Sequence, residues 1–110
     1  MKHFFLAALV AMPMTATAQD GFVMGAGRWT CADVIKTVDG EQAGDYFQMV
    51  GWILGFWSAE TFHQEVAFVD KVENAGARAV FDLTIEACRR AEPDTLLFRI
   101  SQSIIENTAE

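Results

Sequence analysis

The sequence predicts an all-α fold, a small bundle of four helices, and three observations predict it. Apolar residues recur at three-and-four spacing between Tyr46 and Trp57, again between Ala77 and Cys88, and again between Leu96 and Ile104. Helix-start and helix-stop residues (Thr30, Gly40, Asn74, Pro93) punctuate these segments. With 110 residues, 52% of them hydrophobic, the chain has room for one core and no second.

The first element is an address. Met1-Lys2-His3 is a short positive start, Phe4 to Met12 is unbroken and apolar, and Pro13 ends the run. Ala16-Thr17-Ala18 supplies small residues where a signal peptidase reads, so residues 1–18 are expected to be a Sec-type signal peptide cleaved before Gln19. The apolar run is too short to span a bilayer comfortably. Cleavage removes one base, Lys2, and none of the 15 acids, so the net charge of −7 becomes one unit more negative.

Residues 19–29 carry Gly21, Gly25 and Gly27 without periodicity and read as a flexible lead-in. A single helical domain is expected over residues 30–107. Thr30 with Asp33 three residues on opens a helix around Cys31 to Val38, which Asp39-Gly40 ends. The central helix is expected from Gln42 to Glu65, its inner face made by Tyr46, Met49, Val50, Ile53, Phe56 and Trp57, with Phe47 and Leu54 widening it. Val66 to Val69 reads as an extended connector. Asn74 is the expected cap of a third helix, Ala75 to Arg90, with Ala77, Val80, Phe81, Thr84, Ile85 and Cys88 inward. Pro93 and Asp94 suit the first turn of a last helix ending near Asn107, with Leu96 or Leu97, Ile100 and Ile104 inside.

Cys31 and Cys88 both follow the export signal. An even cysteine count in a small exported domain reads as a disulfide, and two cysteines allow one pairing. Closing a loop of this length contributes about 4 kcal/mol in the chain-entropy model. The spacing is unlike C-x-x-C, so the bridge is structural.

The acidic balance argues against nucleic-acid binding, which needs basic charge to displace counterions. No metal or cofactor set is legible: His63 is the one histidine after cleavage, with Glu60 its one helical-facing carboxylate, and two cysteines are too few for a thiolate zinc site. No Ser or Cys stands at the spacing of an activated nucleophile, and Gly25-x-Gly27 precedes no strand–helix phosphate cradle. The chain therefore reads as a binding protein and not an enzyme.

Two features of the central helix bear on binding. Gly51, Gly55 and Ala59 fall on one ridge, which predicts close approach of a neighbouring helix or, as the alternative, the seam of a homodimer. On the first reading Gly51→Leu destabilises the monomer strongly. Trp52, Phe56, Trp57 and Phe62 make the segment unusually aromatic, and most of them are expected in the core. Because Trp52 and Trp57 lie well apart around the helix, the alternative is that part of the set is left as a surface for a client or partner. The spread carboxylates add a possible acid response: below their ordinary pKa values, near 4, the net charge reverses sign and self-repulsion loosens packing.

A signal peptide, Trp29-Thr30-Cys31-Ala32-Asp33, then Gly51-Trp52-x-x-Gly55, then Cys88 with Pro93 after it, resembles the HdeA/HdeB-type periplasmic acid-stress proteins. The resemblance implies a periplasmic helical domain with Cys31 bridged to Cys88 and with Trp29 and Thr30 at the start of the first helix. It also implies chaperone activity in the stress response: such proteins loosen in acid and hold unfolded periplasmic proteins on newly exposed apolar surface, here the Trp52 to Phe62 segment. The chain departs from the family in having only Lys36 and Lys71 after cleavage and a longer loop between its cysteines. The same outline is similar to periplasmic immunity proteins that neutralise type VI secretion effectors, which implies a preformed surface for one enzyme.

Overall fold

The computed structural model describes residues 21–40 and 43–110. The signal peptide read at residues 1–18, and Gln42 as the start of the central helix, lie outside them. Four helices follow in order: α1 Cys31–Asp39, α2 Ala43–Thr61, α3 Val66–Arg90 and α4 Leu97–Ala109. Among the described residues the one β-type pairing is a single antiparallel bridge between Thr30 and Leu96. The fold is all-α with one disulfide.

α1 begins as the sequence predicts. Thr30 Oγ1 accepts a hydrogen bond from the Asp33 N–H at 3.1 Å, satisfying one of the free donors of the first turn. Two more are satisfied from a distance: Cys31 N–H donates to the Thr95 carbonyl (2.7 Å) and Ala32 N–H to that of Pro93 (3.0 Å). The Leu97 N–H returns a bond to the Trp29 carbonyl at 2.8 Å. This pairing corrects the expectation for Pro93 and Asp94. They belong to the turn before α4, and the helix starts only at Leu97 because Thr95 and Leu96 are extended against residues 29–31.

The core lies where α2, α3 and α4 meet. α2 contributes Met49, Ile53 and Trp57, a stripe at intervals of four. α3 adds Val80, Phe81, Thr84, Ile85 and Cys88, whereas Ala77, expected on the same inner face, is exposed because it directly follows the break at Gly76. On α4 the buried stripe is Leu97, Ser101 and Ile105, with Ile100 and Ile104 half-buried beside it. Phe47, expected to widen the inner face of α2, is 68% exposed. A helical wheel places it about 120° from Ile53, beyond the reach of the core.

α3 differs most from expectation. Val66–Val69 is helical, not an extended connector, and Asn74 lies inside the helix instead of capping it. Local β-branched preference is overridden because Phe68 docks in the core, its ring stacked on Trp57 at 6.0 Å with 12° between planes. The true break is Gly76, at φ 83° and ψ 168°. An L side chain is strained there, and glycine lets the 66–75 arm turn back toward α2. Lys71 on that arm donates from Nζ to the Thr108 carbonyl (2.8 Å) and the Glu110 carbonyl (3.3 Å) at the end of α4.

The Cys31–Cys88 bridge ties the first turn of α1 to the last turn of α3, with Cα atoms 5.1 Å apart and both residues buried. Near it Arg89 Nη2 meets Asp39 Oδ1 at 2.9 Å. Gly51, Gly55 and Ala59 are exposed, and a Cβ added at either glycine meets no heavy atom within 4 Å. The expected close packing of a neighbouring helix on this ridge is therefore corrected. α2 turns its Met49–Ile53–Trp57 face inward, and the small residues lie on the opposite side.

Candidate binding surface

From Tyr46 to Ala59 α2 carries no charged side chain, so its exposed part is an uncharged strip. The four aromatic residues singled out from sequence divide by depth. Trp57 is 4% exposed and belongs to the core, which removes it from an open client surface. Trp52 and Phe56 are half-buried and stacked on each other at 4.8 Å with 15° between planes. Phe62, in the turn after α2, is 85% exposed.

Between the second half of α2 and the bend of α3 runs an open groove of about 460 Å³. Leu54, Trp57 and Phe62 form one wall, Val72 and Val80 the other, and Gly76 lies at the bend. No charged residue lines it. The groove exists because Gly76 redirects the arm, so that α3 touches α2 at Phe68 and Val80 without closing the space between. Trp57 Nε1 is buried with no hydrogen-bond partner among the described residues.

Some charged groups near α2 and α3 are already engaged. The Glu60 carboxylate accepts from Gln64 Nε2 at 2.7 Å, so it is not committed to His63, which is exposed. Among the described residues no three His, Cys, Asp or Glu side chains come together as a metal-ligand set. The Arg89 guanidinium, by hydrogen bonding and by charge, holds the Asp39 carboxyl below its ordinary value of 3.8. What the arrangement can do chemically is bury an apolar side chain or chain segment.

Sequence reasoning missed two parts of this surface. The groove depends on a helix bend that Gly76 alone signals, and isolated glycine in a helical pattern is an ambiguous mark. The packing of the lead-in was also hidden. Gly25–Arg28, read as part of a flexible segment, forms a 3₁₀ turn against α2, with Ala26 only 1% exposed. Among the described residues no helix is long and apolar enough to cross a membrane. No family model, curated protein or solved structure matches this chain.

Proposed function

We propose that the protein is a periplasmic binding protein of the acid-stress chaperone type, holding unfolded proteins through apolar surface that low pH makes accessible. The observation that carries this reading is the uncharged groove between α2 and α3, with Phe62 85% exposed at its rim. Such a groove accepts apolar side chains of many sequences and offers no charged group to select one. The signal-peptide pattern of residues 1–18 supports export, and the bridge between Cys31 and Cys88 suits an oxidising compartment.

Acid acts through charge. Protonation of the carboxylates leaves the bases unbalanced, and mutual repulsion opens the most weakly held part first. The 66–75 arm is a good candidate, since it bends at Gly76 and lies outside the disulfide-linked end. Moving it widens the groove and uncovers Phe68 and Trp57. The test is the aggregation of a denaturing client protein. Little protection is expected at pH 7 and clear suppression at about pH 2–3, below the carboxylate range. Equal behaviour at the two pH values overturns the reading.

A second reading, an immunity or inhibitor protein that plugs one secreted enzyme, is favoured by apolar groups that need no loosening to be reached: Phe47 at 68% and Phe62 at 85% exposure. A stable stoichiometric complex at neutral pH, lost with Phe62→Asp, would place it first.

A further inference from the structure

Gly25 and Gly27, in the 3₁₀ turn before α1, lie against Trp52. A Cβ built on Gly27 would overlap indole Cζ2 of Trp52, lie 2.5 Å from its Cε2 and lie 2.6 Å from Val23 Cγ1. One built on Gly25, which holds φ at +75°, would lie 3.6 Å from Cδ1 of the same ring. The backbone at these glycines therefore rests directly on the indole face, a contact that no other residue type permits at Gly27. Yet no backbone hydrogen bond ties residues 21–28 to a helix among the described residues. From Trp29 onward the situation reverses: Trp29, Cys31 and Ala32 bond to Leu97, Thr95 and Pro93, and Cys31 is in the disulfide. The segment is anchored at its root and held beyond it by the packing of Ala26 and Gly27, while Phe22 and Met24 are exposed.

We propose that residues 21–28 are an intramolecular strap that covers Trp52 and competes for it with an uncharged apolar segment of another protein. The strap is itself such a segment, since Phe22-Val23-Met24-Gly25-Ala26-Gly27 carries no charge. The platform beneath it matches, because α2 is uncharged from Tyr46 to Ala59. Lifting the strap opens the 3₁₀ turn at Gly25–Arg28 but leaves α1 to α4 and its root in place, so access to Trp52 is regulated without unfolding the bundle. This inference rests on the binding function proposed above and names how one part of its surface is controlled.

Gly27→Val puts a branched side chain where the indole lies, and Ala26→Asp puts a charge at a position 1% exposed. Each variant, made in the full chain with its disulfide intact, is compared with the parent at pH 7. The expected result is unchanged helix content, fast amide exchange at residues 25–28, and binding of an apolar dye raised about three- to tenfold, as a largely closed site becomes an open one. Adding Trp52→Ala should remove the gain. A synthetic peptide with the sequence of residues 21–28 should bind the Gly27→Val protein and not its Trp52→Ala derivative. Dye binding and exchange equal to the parent in both strap variants, or a gain that survives Trp52→Ala, overturns the strap. Raised dye binding without client holding at any pH keeps the strap and refutes the binding function. Acid-dependent holding by the parent, with both strap variants unchanged, does the reverse.

Discussion

The two ends of the bundle are held by different forces. At one end, α1, the close of α3 and the start of α4 are joined by a disulfide, by backbone bonds between residues 29–32 and 93–97, and by the Arg89–Asp39 pair. At the other, α2 meets the 66–75 arm through the stacked Trp57 and Phe68 rings and carries the strap on Trp52, with Lys71 as a polar latch to the end of α4. Covalent and directional bonds fix geometry, whereas ring packing tolerates sliding and separation at lower cost. The bonded end is thus built to persist, and the aromatic end is the one that can open.

Removing the bridge tests the bonded end most severely. The double variant Cys31→Ala with Cys88→Ala should lose about 4 kcal/mol in denaturant unfolding, with α1 the first helix to lose amide protection. A loss under about 1 kcal/mol would break the contrast. Trp57→Ala tests the aromatic end and should cost about 3–4 kcal/mol, with the 66–75 arm deprotected before α1. If both ends lose protection together in both variants, the bundle opens as one unit and the distinction between ends fails.

Smaller changes sharpen the picture. Gly51→Ala should raise stability by about 0.5–1 kcal/mol, because its Cβ meets nothing and alanine is the better helix former. A loss of stability there would mean that the ridge is covered after all, for instance by a second copy of the chain. The slightest effect is electrostatic. Asp39 is held below its ordinary value of 3.8 by Arg89, so its contribution is present above that pH and fades as pH falls through the lowered value. Asp39→Asn should therefore flatten the acid limb of stability below about pH 4, a small change read by melting temperature against pH. Because the pair is exposed, added salt should reduce the effect.

Much of the fold is legible in the sequence for a physical reason: periodic apolar residues dictate which face of a helix leaves water. The Ile53 stripe and the Val80-to-Cys88 face are of this kind, and so is the Thr30 cap. Val66–Val69 is not. Its local preference points to an extended segment, and only the docking of Phe68 on Trp57 makes helix the lower-energy choice. The glycines show the same division. Their spacing on α2 suggests close packing that the structure does not contain, while Gly27, read only as part of a flexible lead-in, is a position that tolerates no side chain.

The sequence by itself determined that this is an all-α chain with one core and one possible disulfide, since composition, period and cysteine count depend only on neighbours along the chain. Tertiary structure alone decided which aromatic residues stay reachable. It buried Trp57, covered Trp52 with the strap and left Phe62 in solvent, because depth is set by what another segment places against a ring. No regularity within α2 carries that information.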